Sequence, residues 1–195
     1  MQEKEIEKLC TLVSENNDEK AFSRLFDHFS PGLLSYITAI VQKPAVAEEL
    51  LTDVFMNLWK NRKILHTIRS LPYYLYTSGK NLSINYLKSS QNRQHISLDD
   101  FGDSLLFTYA TPETSRIDAD NLAALLRAIQ SLPPQCQLIF RLSKEEQLTR
   151  KEIAHLLDIT TKTVENQMTI AFKKIVEALR REMPSLKYRY GGSDK

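Results

Sequence analysis

The sequence predicts an all-α protein of two small helical domains joined by an acidic linker, the C-terminal domain containing a helix-turn-helix. Three observations carry this. Apolar residues recur at spacings of three and four, and no period-two alternation marks a strand in the first block. Gly 5 and Pro 7 in 195 residues are too few for the turn-rich connections of a sandwich or barrel. The small net charge of +2 also conceals a pattern. Residues 19–93 carry ten Lys and Arg against five Asp and Glu, and residues 119–195 carry thirteen against nine. The segment 94–118 between them carries one against five.

Composition narrows the class further. With 42% hydrophobic and 26% charged residues, the chain can bury two modest cores, and wholesale disorder is not expected. No apolar run approaches the roughly 18 residues that span a bilayer. MQEKEIEKLC lacks a basic start followed by an apolar stretch, so no secretory signal is expected and the reading is cytoplasmic. Cys10 and Cys136 have no CxxC spacing, which argues against a disulfide framework or a zinc cluster. No metal, cofactor or catalytic set is expected. Two moderately basic modules on a tether suit contact with a polyanion.

Residues 1–18 are acidic and read as an N-terminal extension. From Glu19 to Val41, Phe22, Leu25, Phe26, Phe29, Leu33, Leu34, Ile37, Ile40 and Val41 keep helical spacing. Ser30-Pro31 is expected to divide this run, Ser as a cap and Pro in the first turn of a following helix. Pro44 opens another helix, with Val46, Leu50, Val54 and Leu58 on one stripe and Phe55 and Trp59 beside it. A further helix runs from about Leu71 to Ser89, burying Leu75, Leu82 and Tyr86, with Gly79 allowing a close approach. Together these make a helical bundle over residues 19–93.

Two features exceed what a bundle needs. Glu49, Asp53 and Asn57 share a face away from the Val54/Leu58 stripe, with Leu51 and Met56 nearby. A solvated face is the simpler reading of that spacing, and a mixed acidic and apolar docking surface is the functional one. The second feature interleaves Arg62, Lys63 and Arg69 with Tyr73, Tyr74, Tyr76, Lys80, Asn81, Asn85, Lys88 and Arg93. Rings can stack on single-stranded bases at ~1–3 kcal/mol each while cations follow phosphates. A tyrosine-rich core edge fits that composition equally well.

The segment 94–118 has no sustained period and reads as a linker, although Leu105, Leu106, Phe107 and Tyr109 sit among its acids. Beyond it, Leu122, Leu125, Leu126 and Ile129 share a helical face, and Leu132-Pro133-Pro134 breaks the chain before a helix holding Leu138, Ile139 and Leu142. LTRKEIAHLLDITTKTVENQMTIAFKKIVEAL is more specific. Thr149 and Glu152 form a capping-box pattern, Ile153, Ala154 and Leu157 face inward, and Asp158-Ile159 fits the tight turn. Thr160 caps a second helix held down by Val164, Met168, Ala171 and Ile175. That leaves Thr161, Lys162, Glu165, Asn166, Thr169 and Lys173 facing out, as on a recognition helix in the major groove. An ordinary helical hairpin shares the spacing but not the whole set. Asn166 can pair with adenine and Glu165 can accept from cytosine N4, while Lys162, Lys173 and Lys174 suit phosphates. Gln167 lies near the buried edge and is assigned no base.

With these residues in order, the chain resembles bacterial RNA polymerase sigma factors of the extracytoplasmic-function (ECF) group, from about residue 19 to 182. EELLTDVFMNLW resembles the helix that grips the polymerase β′ clamp, which implies docking through Glu49, Asp53 and Asn57. LPYYLYTSGKNLSINYLKSS looks like the helix that melts and reads the −10 element, implying roles for Arg62, Lys63, Tyr74, Lys80, Asn81 and Lys88. SLPPQCQLIF and the helix-turn-helix are similar to the domain that reads the −35 element and touches the β flap, implying Lys162, Glu165, Asn166, Thr169 and Lys173. The resemblance also implies that the loop from about Asn61 to Ser70 holds an unstacked promoter base. It implies partners as well: RNA polymerase core, promoter DNA and an anti-sigma factor, often membrane-anchored, with no membrane insertion by this chain. The linker is then expected to be mobile in the free protein and ordered with polymerase, and residues 184–195 to form a solvated tail.

The sequence departs from the family at three places. Thr52-Asp53 stands where Gln-Glu is usual, Ser78-Gly79-Lys80-Asn81 follows Tyr74 in place of a Trp-led run, and Glu165-Asn166-Gln167 replaces a basic run. The last change bears on which −35 sequence is read. A two-component activator would need a receiver with alternating strands and helices, which the first block lacks. The single ExxH pair, Glu152 and His155, falls short of the two pairs of a di-iron bundle. A stand-alone helix-turn-helix regulator remains the alternative.

Overall fold

The computed structural model describes residues 1–89 and 116–182, and every regular element among them is a helix. In the first half, α1 is Glu3–Asn16, α2 Glu19–Val41, α3 Pro44–Lys60 and α4 Leu71–Ser89, with a 3-10 segment Arg62–Thr67 before α4. In the second, α5 is Arg116–Gln130, α6 Pro134–Lys144, α7 Arg150–Leu157 and α8 Thr161–Glu182. The all-α expectation thus holds. The linker expected over 94–118 lies outside the described residues as far as 115, its last three positions belonging to α5, and the tail beyond 183 also lies outside them.

One local element is added and one expectation is corrected. The N-terminal extension 1–18 holds a helix that the spacing did not predict: Leu9, Cys10 and Val13 line one face of α1 and are buried. That face packs against α2 and the 3-10 segment. Asn17 ends α1 in the left-handed region at φ 53, and the Asp18 carboxylate starts α2 by accepting from the N–H groups of Lys20 and Ala21 at 2.9 and 3.0 Å. The corrected expectation is Pro31. α2 runs unbroken through it. Pro31 is exposed, while Leu25, Phe29, Leu33, Tyr36 and Ile37 bury a stripe on both sides of it. An interior proline costs about 3 kcal/mol, less than burying several large apolar side chains returns.

The other elements follow the pattern. Lys43 precedes α3 and Pro44 supplies its first turn. Gly79 lets α4 close on α2: a Cβ there would stand 3.1 Å from Leu33 Cδ1 and 3.2 Å from Ile37 Cγ1. In the second half, Ala124, Ala128, Ile129, Cys136, Phe140, Ala171, Ile175 and Leu179 bring α5, α6 and α8 around one cluster. The two alanines of α5 lie deeper than Leu122, Leu125 and Leu126, because small residues let α8 approach. Every residue of α6 from Cys136 to Leu142 is buried, as expected of a helix packed on all sides.

The halves are joined by a larger cluster. It runs from Leu9 and Val13 through the stripes of α2, α3 and α4 to Leu138, Ile139 and Leu142 of α6, Ile153 to Leu157 of α7 and Val164 of α8. At its edge Glu146, only 9% exposed, sits against α2 and α4. A Cβ on Gly32 would fall 2.6 Å from Glu146 Oε1 and 2.7 Å from the Tyr76 hydroxyl, so a larger residue there would displace both groups.

Burial pushes the Glu146 carboxyl up from 4.5 to about 7, and Glu145 adds to the rise. The hydrogen bond donated by Tyr76, the N-terminal ammonium and Arg141 pull the other way. The folded value lies above the unfolded one, so the fold holds an extra proton between them. The stabilising neutral form is fully present below about 4.5 and is lost as pH rises through about 7. Glu146→Gln, neutral at every pH, should flatten this part of the pH dependence and raise the Tm at pH 8. The gain should be on the order of 3 kcal/mol at most. Thermal unfolding of both proteins from pH 4 to 8 measures it; parallel curves would contradict the assignment.

Candidate nucleic-acid and docking interfaces

Three surfaces carry the sequence-predicted residues. On α3, Glu49, Asp53 and Asn57 are all exposed, each one turn from the next, while Leu50, Val54 and Leu58 hold the opposite side in the core. Of the apolar neighbours the spacing placed beside the strip, Leu51 is buried and Met56 borders it, joined by Phe26, which the spacing did not set apart. Met56 is 50% exposed, and Phe26 of α2, 37% exposed, meets Phe55 edge-on at 4.7 Å between ring centres. Phe26 keeps the period of the buried stripe, so only the packed structure shows it at the rim.

The second surface is formed by the 3-10 segment and α4. Lys63, Asn81 and Lys88 are exposed, and Tyr74 is half-buried against the core. Arg62 is committed locally. Its Nε donates to the Asn17 side-chain oxygen at 2.6 Å, Nη1 donates to the Trp59 carbonyl at 3.0 Å, and the guanidinium lies 4.7 Å above the Trp59 ring. It therefore ties α1 to α3, leaving Lys63 and Arg69 as exposed cations of this loop. Ile64 is 51% exposed beside them, a residue the sequence reading did not single out. Lys80 points into the second half of the chain, its Nζ donating to the Leu156 carbonyl at 2.7 Å. About two turns before Lys80 on α4, the Tyr73 hydroxyl lies 2.7 Å from His155 Nδ1.

The third surface is the α7–α8 pair. The capping box is complete: Thr149 Oγ1 accepts from the Glu152 N–H, and the Glu152 carboxylate accepts from the Thr149 N–H at 2.8 Å. Asp158 closes α7 in the left-handed region at φ 55, and Thr160 Oγ1 accepts from the Thr163 N–H at 3.0 Å. Val164, Ala171 and Ile175 are buried, while Lys162, Asn166, Thr169 and Lys173 are exposed. Gln167 turns inward, its amide donating to Gln135 at 2.8 Å, as its position near the buried edge implied. Glu165 is half-buried and paired with Arg150 at 3.0 Å and Lys162 at 3.7 Å. Its single negative charge is shared between two cations, Arg150 at the start of α7 and Lys162 at the start of the recognition helix. Arg150 was absent from the expected set because its partner lies 15 positions away.

No group of three or more metal-ligating side chains occurs among the described residues, and no helix among them is long and apolar enough to cross a membrane. Both cysteines are buried thiols, and burial, aided by Glu7, pushes Cys10 up to about 11.

A helical bundle with an exposed acidic and apolar strip, followed by a helix-turn-helix with its outer face free, defines a two-module DNA-binding protein. The Sigma-70 region 2 family matches residues 25–93 and the Sigma-70, region 4 family matches residues 122–175. The ECF RNA polymerase sigma factor RpoE of Cereibacter sphaeroides is 24% identical over 172 residues, 86% of this chain and 91% of that protein. The ECF RNA polymerase sigma factor BldN of Streptomyces coelicolor is 30% identical over 138 residues, 70% of this chain and 52% of that protein. Among solved structures, CnrH in complex with the cytosolic domain of CnrY matches 91% of this chain and 99% of that one, at 16% identity and a TM-score of 0.44. The chain belongs to the ECF sigma factors and directs promoter-specific transcription.

The Arg150–Glu165–Lys162 arrangement makes a specific expectation. Glu165→Ala should free both cations for phosphates, raise non-specific duplex affinity at low salt and steepen the log K against log[salt] slope by about one. A titration across 50–200 mM salt checks it; weaker binding with an unchanged slope would instead give Glu165 a base contact.

Proposed function

We propose that this sigma factor docks on RNA polymerase core through the exposed α3 strip of Glu49, Asp53 and Asn57, with Phe26 and Met56 as its apolar border. Two observations support that reading: Glu49 and Asp53 take part in none of the ion pairs among the described residues, and the large apolar side chains beside them stay exposed. An apolar patch rimmed by charge is the usual form of a protein-binding site.

Promoter contacts divide between the other two surfaces. Lys63, Tyr74, Lys80, Asn81 and Lys88 supply stacking and phosphate tracking for the −10 strand, and Arg62 positions the loop that carries Lys63. Asn166 reads a base of the −35 element, with Lys162, Thr169 and Lys173 on phosphates and Glu165 setting how much positive charge the helix presents. The polymerase performs the chemistry, so the factor itself is not an enzyme. It acts in the cytoplasm, and the family implies an anti-sigma partner that competes for the polymerase-binding surfaces.

Run-off transcription with purified core on a promoter library tests the function, and productive initiation only in the presence of the factor is the expected result. Duplex binding by the factor alone, with no effect on transcription by core, would favour the stand-alone regulator. For the docking strip, Asp53→Lys should weaken core binding at least tenfold with helical content and Tm unchanged, because position 53 is exposed. Fluorescence anisotropy with labelled factor measures this, and unaltered affinity would remove Asp53 from the docking surface.

A further inference from the structure

We infer that the cavity between α1, the 3-10 segment and the turn joining α6 to α7 is a binding site for a small aliphatic polyamine. Its volume, about 550 Å³, falls in the range of small-molecule sites. Such binding belongs to the free chain and calls for neither promoter nor polymerase.

The lining carries an excess of acid from two separate parts of the chain. Glu3 and Glu7 come from α1, about one turn apart. Glu145, Glu146 and Glu152 come from the α6–α7 turn and the first turn of α7. Against these five carboxyls the lining sets the Arg69 guanidinium and the N-terminal ammonium, with the imidazoles of His28 and His66. Burial, followed by the N-terminal ammonium, lowers the His28 pKa and so favours its neutral ring. Two of the acids already have partners. The Glu152 carboxylate accepts from the Thr149 N–H in the capping box, and Glu145 pairs with Arg141 at 3.8 Å. Glu3, Glu7 and Glu146 take part in none of the ion pairs among the described residues.

Glu146 is the group that most lacks a partner. It is only 9% exposed, and its Oε1 sits in the notch left by Gly32, close to the Tyr76 hydroxyl. Its Oε2 has no hydrogen-bond partner among the described residues. Burial holds this carboxyl up at about 7. A cationic N–H donor beside it would supply the missing hydrogen bond and favour the ionised form.

The rest of the lining selects among cations. No group of three or more His, Cys, Asp and Glu side chains among the described residues could hold a metal ion. The acid is therefore matched by N–H groups and not by metal coordination. Ile6, Phe29 and Leu65 belong to the same lining, and apolar surface of that kind takes up methylenes. Ammonium groups joined by methylenes fit both parts, whereas an anionic ligand would be repelled by the carboxylates.

Isothermal titration calorimetry of spermidine into the full chain tests this, at about 150 mM salt, where diffuse attraction is largely screened. One saturable site per chain is expected, with butylamine at least tenfold weaker. Glu146→Gln should weaken spermidine at least tenfold. So should Glu3→Gln combined with Glu7→Gln, a pair at exposed positions where the fold tolerates change. Thermal unfolding of each free variant verifies that it is folded. Glu15→Gln removes the same charge from α1 outside the cavity and should leave the affinity within twofold. Heats that never saturate, or an equal loss in Glu15→Gln, would mean diffuse attraction to an acidic surface and overturn the site. Unchanged affinity in Glu146→Gln or in the Glu3, Glu7 pair would overturn it too, and equal binding of butylamine would overturn the assignment to a polyamine.

Discussion

The apolar cluster shared by the two halves of the chain is the constraint on which the rest of the structure depends. It begins under α1 and ends under the first turns of α8, and it includes side chains from every helix of the first half and from α6 and α7. Contacts between domains of one chain are commonly polar and loose, so that relative motion is the default. Here Leu156 and Leu157 are buried, and Lys80, Tyr73 and Glu146 fix the register of the contact with polar groups that tolerate little displacement. Such a seam costs its buried polar atoms something. Glu146 Oε2 has no hydrogen-bond partner among the described residues, and burial favours the neutral carboxyl. A contact of this composition is suited to separate, because Lys80 and the Leu156 carbonyl gain water or phosphate partners when it does.

The surface electrostatics fit the same division of labour. The α3 strip exposes acid beside apolar groups, the composition proposed above for docking. The recognition helix offers Lys162, Asn166 and Lys173, with its charge moderated by Glu165 in two ion pairs. Exposed pairs of that kind add little stability, about 0–1 kcal/mol, so their effect lies in the field they present to DNA. The α7–α8 pair thus presents a smaller set of unpaired cations than its lysine count suggests.

Much of this was legible in the sequence because it is local. Helical spacing gave α3, α4 and α8, Pro44 and Thr149 marked helix starts, and Gly79 marked the close approach of α4 to α2. Ser30-Pro31 misled because a strong local breaker met a stripe whose burial on both sides outweighs it. α1 was missed as a core element because three apolar residues among acids give a weak pattern until a groove is present to receive them. The exposed strip of α3 and the outward face of α8 were readable from periodicity, but the engagement of individual cations was not. Arg62 with Asn17, Arg150 with Glu165 and Lys80 with Leu156 are separated by 45, 15 and 76 positions, and such pairs leave no trace in a local window.

The closed seam is tested most directly by the distance between its two sides in solution. Spin labels at exposed Asp27 of α2 and Lys151 of α7, each changed to cysteine, report it by double electron–electron resonance in the full chain. Closure predicts one short, narrow distance distribution for the free factor and a longer one once core polymerase is bound. A broad distribution in the free factor, unchanged on adding core, would contradict it.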